Sequence, residues 1–194
     1  MCDDLFHPQH LYSRQQVLSP ECPVPKRAGV YGWYFRGLDS LIPSPACFAS
    51  GDFKLLYVGI SPSAPPKNGK LPSKELLYDR IRKHMQGNAY GSTLRLSLGC
   101  ILADQLDIQL RRVGSGKSLT FSGGETRISE WVEKNALVVW HVCDEPWKLE
   151  HDLIKTGKPP LNLEKNKDHD FFQKLSTLRR AAKVKARALP ILLR

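Results

Sequence analysis

A handful of side chains scattered between positions 31 and 162 have the types needed to handle a phosphate ester. They are the phenols of Tyr31 and Tyr57, the guanidinium of Arg80, the imidazole of His84, the carboxylate of Glu150 and the carboxamide of Asn162. A hydrolysis at phosphorus needs a deprotonated water, neutralised charge on the phosphate and a stabilised leaving oxygen. Arg80 is permanently charged and forked, and suits phosphate oxygens. Glu150 is a hard oxygen ligand, and one carboxylate plus phosphate and waters makes a normal Mg²⁺ site. A free phenol titrates near pH 10 and can serve as a base only if nearby positive charge lowers it, whereas an imidazole near 6.5 is physically the simpler base. Asn162 is better suited to fixing local geometry by hydrogen bonds than to moving a proton.

The placement of these residues gives them weight. Tyr31 closes the triplet Gly29-Val30-Tyr31, and Tyr57 opens the triplet Tyr57-Val58-Gly59. Each triplet lies in a run of aromatic and β-branched residues, "GVYGWYF" and "FKLLYVGI", that reads as a strand. Arg80 and His84 are four residues apart in "LYDRIRKHM" and share one face of a predicted helix over 74–86, with Ser73 as its N-cap and Gly87 as its stop. Glu150 falls between Trp147 and Ile154, inside the apolar stripe of a helix over 146–157 that Pro146 opens and Gly157 closes. A carboxylate in that stripe needs a cation or several donors, because unpaired burial costs several kcal/mol.

The most conspicuous phosphate motif is a false lead. "GSGKS" at 114–118 resembles the end of a nucleotide-binding loop, but Arg111 stands where the first glycine belongs. The following "LTFSGG" reads as strand and turn, so no helix N-terminus would supply free N–H groups. We expect a hairpin tip here and no nucleoside triphosphate.

The rest of the chain frames the site. Residues 1–27 read as an arm. A segment over 93–103 is predicted helical, "LDIQLRRVG" as a strand and 125–135 as a helix. "ALVVWHVC" (136–143) is a continuous apolar run suited to a central strand, and a last helix spans about 171–188. The expected fold is α/β (α+β): a small central mixed or antiparallel sheet flanked by helices, as one domain over 28–165. An insertion occupies about 88–135, and a basic helix and tail follow over 166–194.

Composition points to a polyanionic partner. Lys and Arg outnumber Asp and Glu by 29 to 19, a net charge of +10. Candidate contacts to nucleic acid are Arg95, Arg111, Arg112 and Lys117 in the insertion. Arg179, Arg180 and Lys183 are further candidates in the acid-free stretch "LRRAAKVKARALPILLR". No apolar run reaches the ~18 residues of a membrane span, and the polar, acidic start does not read as a secretion signal, so a cytoplasmic location is expected. The cysteines at 2, 22, 47, 100 and 143 contain no paired spacing, which argues against a disulfide framework or a zinc site.

Taken in order, the two triplets, the helical Arg80, Glu150 and Asn162 resemble the GIY-YIG nuclease family, with valine replacing isoleucine in both triplets. The resemblance spans residues 28–163. It implies a phosphodiester-cleaving endonuclease with DNA as partner and one divalent ion, Mg²⁺ or Mn²⁺, on Glu150. It further implies that Tyr31 acts as base or water-positioning group, with Tyr57 helping to hold the nucleophile. His84 matches a histidine found at that place in several members, including small type II restriction enzymes. The separation of the triplets is longer than usual in the family. Together with the large insertion this resembles the restriction branch, so a restriction or defence enzyme is the first expectation and a repair nuclease the second. A catalytically inactive binding module is the reading from a different class. Cutting a palindromic site would call for a two-fold homodimer.

Overall fold

A computed structural model describes residues 3–42, 48–66, 68 and 71–192. Cys2 and Cys47, and parts of the loop around Pro43 and of the linker over 61–73, lie outside the described residues. The described elements run in chain order as α1 (Arg14–Leu18), β1 (Gly29–Phe35), β2 (Ala49–Ser50), β3 (Phe53–Ser61), α2 (Leu77–Gln86), α3 (Thr93–Ile101), β4 (Arg111–Val113), β5 (Ser118–Thr120), α4 (Gly124–Asn135), β6 (Ala136–Val142), α5 (Pro146–Gly157) and α6 (Phe172–Ala188), after a 3-10 turn at Asp3–Leu5.

The main sheet is antiparallel, in the order β2-β3-β1-β6. Every residue of β1 is buried, because helices or the N-terminal turn cover both of its faces. Tyr31, Trp33 and Phe35 pack on one side with residues of α2, α3, α4 and α6. Val30 and Tyr34 pack on the other with Leu153 and Ile154 of α5 and with Leu5 and Phe6. The continuous apolar run in β6 therefore belongs to an edge strand, not to the expected central one. Its outer edge is covered instead by the arm: Tyr12 and Val138 exchange both backbone hydrogen bonds at 2.9 Å. An edge closed in this way needs no charged side chains to protect it.

Helix α2 starts three residues later than its sequence suggests. The Ser73 hydroxyl accepts from Glu75 N, and it is Asp79 that reaches back to Leu76 N at the true start. "LDIQLRRVG" is extended only over β4, which pairs with β5 through a turn in which Gly114 and Gly116 take positive φ. "GSGKS" is thus a hairpin tip. This hairpin receives the segment that follows α6, with Val113 bridging to Leu192. Helix α6 packs on α3, with Leu175 and Ala186 fully buried.

Candidate active site

The two glycine-tyrosine triplets meet across one pair of strands. In the register of β1 and β3, Tyr31 stands opposite Gly59, and Trp33 opposite Tyr57. Side chains of paired residues lie on the same face, so the Tyr31 ring crosses over Gly59 towards Tyr57. Their ring centres are 6.5 Å apart. A Cβ on residue 59 would stand 2.4 Å from both Cζ and Oη of Tyr31, so only glycine admits the phenol there. Gly29 has a comparable reason: a Cβ would meet the His141 carbonyl oxygen at 2.3 Å, where β6 approaches closely.

Helix α2 lies against this strand pair and delivers Arg80 and His84. Arg80 Nε donates to Tyr31 Oη at 3.4 Å, and its Nη1 donates to the Gly91 carbonyl at 3.2 Å. Glu75 faces it at 3.7 Å and also pairs with Lys83. His84 is fully buried behind Tyr31. Its Nε2 lies 2.9 Å from Tyr31 Oη and its Nδ1 2.7 Å from Ser92 Oγ. The rings of Tyr31, Trp33 and Tyr57 surround it. Burial, followed by the positive charges of Arg80, Arg95 and Lys83, holds the His84 imidazole well below its ordinary range, so it is neutral at pH 7. Burial, then Tyr57, pushes the Tyr31 phenol upward, against the opposing pull of Arg80.

Asn162 braces the outer edge of β3 beyond the reach of β2. Its Oδ1 accepts from Val58 N at 2.9 Å, and its Nδ2 donates to Val58 O at 2.7 Å. The neighbouring Leu161 N donates to Leu56 O. A side-chain amide thus replaces the peptide group of an absent neighbouring strand.

Glu150, on α5, is 21% exposed, and its Oε2 accepts from Lys165 Nζ at 2.5 Å. The apolar stripe of α5 therefore carries its carboxylate against a cation, as the burial argument requires. Lys165 itself has positive φ and follows Asn162 by three residues.

All these elements open onto one cavity of about 680 Å³. Tyr31, Tyr57, Arg80, Glu150 and Asn162 all line it, whereas His84 stands one layer behind. Sequence reasoning had not singled out Glu75, Ser92 or Lys165. Ser92 carried a readable signal, since a serine between the "GNAYG" turn and an apolar helical run is an N-cap, and its Oγ accepts from Arg95 N at 3.0 Å. Glu75 and Lys165 carried none, because both sit in polar stretches and reach the site only through the fold.

The basic candidates separate into two groups. Arg95 cannot contact nucleic acid, because its side chain is 0% exposed and bonded to Glu125, through Nε at 3.0 Å and Nη2 at 2.9 Å. It also donates to the carbonyls of Glu125, His84 and Met85, and so ties α3 and α4 to the end of α2. Arg112 and Arg111 donate through Nη2 to the carbonyls of Leu189 and Pro190 just past α6, and both remain partly exposed. Lys117 and Arg180 are exposed, and Lys183 is half-buried. Arg179 lines the cavity itself.

No curated protein and no solved structure shows significant similarity to the chain. A family model described as the GIY-YIG catalytic domain matches residues 29–181. That span runs from the first triplet into α6 and contains every residue of the cavity named above, so the chain belongs to the GIY-YIG nuclease superfamily.

Proposed function

We propose that this protein is a divalent-metal-dependent DNA endonuclease. The observation that carries this reading is that Tyr31, Tyr57, Arg80, Glu150 and Asn162, distant in sequence, all face one cavity. Arg80 binds the phosphate oxygens where negative charge accumulates. Glu150 fits a cation by its donor chemistry, and the Lys165 ammonium already stands against it as a positive charge. Among the described residues there is no group of three or more His, Cys, Asp and Glu side chains, so waters and substrate phosphate would complete the coordination, which suits Mg²⁺ or Mn²⁺. Such an ion, when bound, neutralises phosphate charge and stabilises the leaving oxygen.

His84 does not reach the cavity, so the water meets Tyr31 and Tyr57. Tyr31 takes a proton from the water only as the phenolate, after its own proton has passed to solvent; burial and Tyr57 oppose that ionisation and Arg80 favours it. Tyr57, half-buried on the same face, orients the nucleophile. One P–O bond forms from water, one ester P–O bond breaks, and the leaving oxygen takes its proton from solvent. Arg179 extends the positive surface of the cavity, and Lys117, Arg180 and Lys183 supply phosphate contacts outside it.

The size and the insertion favour a restriction or defence role, and a branched-DNA repair role is the alternative outcome of the same assay. Supercoiled plasmid should be nicked or cut with Mg²⁺ or Mn²⁺ and left intact with chelator. Glu150→Ala should abolish cutting and leave DNA binding within about twofold. Binding without cleavage of any duplex, fork or flap would replace the enzyme with a binding module. Discrete fragments from long duplex DNA, together with a dimer by gel filtration, would place it with restriction enzymes. No helix among the described residues is long and apolar enough to cross a membrane.

A further inference from the structure

We propose that Ser92 fixes the proton of His84 on Nε2, so that His84 donates a hydrogen bond to Tyr31 instead of receiving the Tyr31 proton. This rests on the reading of Tyr31 as the group facing the nucleophile. It settles what the imidazole behind it does.

Counting hydrogens in a closed space carries the argument. Ser92 and His84 are each 1% exposed, so no bulk water reaches the contact between them. Ser92 Oγ has one proton to give. It already accepts the Arg95 N–H at 3.0 Å, and it lies 2.7 Å from His84 Nδ1. With the imidazole proton on Nδ1, Ser92 would accept a second time and its own O–H would have no partner. With the proton on Nε2, the enclosed Ser92–His84 pair is satisfied: Ser92 O–H donates to Nδ1, Ser92 Oγ accepts from Arg95, Nε2–H donates to Tyr31 Oη at 2.9 Å, and the Tyr31 O–H turns to the cavity, where solvent can accept it. One unmade hydrogen bond at a buried hydroxyl biases the tautomers roughly tenfold.

The consequence falls on Tyr31. Its Oη accepts from two N–H groups, His84 Nε2 and Arg80 Nε, which leaves its own proton directed at the cavity it lines. Donors on a phenolic oxygen favour the ionised form. His84 is then no base and no proton acceptor. It is a positioning residue, and Ser92 positions it in turn. The N-cap that starts α3 is thus also the far end of a relay that reaches the reacting oxygen, Ser92 to His84 to Tyr31. The insertion that carries α3 contributes a part of the site, although it supplies no side chain to the proton transfer itself.

The test separates capping from tautomer control. Threonine at 92 keeps both the cap and the hydroxyl donor. Aspartate caps equally well but only accepts, so Ser92→Asp should force the His84 proton onto Nδ1. The first readout is the histidine ring ¹H–¹⁵N correlation spectrum at neutral pH, which needs neither metal nor DNA. Wild type and Ser92→Thr should show His84 with a protonated Nε2 and a bare Nδ1, and Ser92→Asp the reverse. The second readout is cleavage under saturating Mg²⁺. Ser92→Thr should retain kcat within about threefold, while Ser92→Asp loses on the order of 100-fold in kcat with KM for DNA little changed. Wild-type His84 carrying its proton on Nδ1 would overturn the inference whether or not the protein cuts DNA, and so would Ser92→Asp cutting at the wild-type kcat. A protein that shows the Nε2–H tautomer but cuts nothing would sink the nuclease reading alone.

Discussion

Replacing Arg95 by methionine distinguishes a structural arginine from a DNA-contacting one. The substitution keeps an unbranched apolar stem and removes the charge. The Glu125 carboxylate, 14% exposed, then loses both Arg95 bonds to its Oε2 and keeps two backbone donors on Oε1, Ala89 N at 2.8 Å and Phe121 N at 3.0 Å. Removing one partner of a buried ion pair costs 3–5 kcal/mol, and the surviving donors place this case at the lower end, about 3 kcal/mol. The carbonyls of His84 and Met85 also lose a donor, which adds to the cost without changing its order. For a domain of this size 1 kcal/mol moves Tm by 2–4 °C, so the midpoint should fall by roughly 6–12 °C. Calorimetry or thermal circular dichroism reads this directly. At a temperature where the variant is fully folded, its log Kd against log salt slope for DNA should equal that of wild type. An arginine on a phosphate would give the opposite pair: an unchanged Tm and a slope smaller by about 0.9. That second pattern would refute the buried-keystone account.

Three further outcomes follow from the same geometry. His84 is held neutral in the native state, while in the unfolded chain it takes up a proton below about pH 6.5. Its contribution to stability is therefore fully present above that pH and is lost as pH falls towards the depressed native value, at up to about 1.4 kcal/mol per pH unit. Urea unfolding at pH 7.5, 6.5 and 5.5 should show this loss, and His84→Gln should remove its share of it. Asn162→Ala leaves Val58 N–H and C=O unpaired in a buried strand, at about 1–3 kcal/mol for each group. The variant should unfold at lower urea but keep the wild-type shape of its pH–rate profile, whereas a proton-transfer role would change that shape. Lys165→Met removes the ammonium from Glu150, and the Mg²⁺ concentration giving half-maximal cleavage should fall severalfold. An unchanged requirement would mean that the ion pair imposes no barrier to metal.

The parts of the site that the sequence makes legible are those whose reasons are local. Tyr31 and Tyr57 sit on recognisable strands, and α5 is bounded by Pro146 and Gly157 as its punctuation indicates. The +10 charge points towards a polyanionic partner. Glu150 could be suspected because a carboxylate inside an apolar stripe demands a cation, and Lys165 is one. Gly59 is legible only as part of a triplet. Its physical reason, a phenol ring 2.4 Å from a missing Cβ, exists solely across two strands.

Tertiary structure decided what burial and partnership decide. Arg95 and Lys117 look alike as basic residues of one insertion, yet one is sealed against Glu125 and the other is open to solvent. Arg111 and Arg112 each give one Nη2 bond to the backbone just past α6, a partnership that their place in the sequence does not show. His84 could be a base or a bystander on a helix flank, and only its burial behind Tyr31, with Ser92 at its other nitrogen, removes it from the water. Residue type fixes charge, hydrogen-bonding capacity and local propensity. Whether a charge meets solvent, substrate or an opposite charge depends on neighbours that are remote along the chain, and the packing of the whole fold alone determines those neighbours.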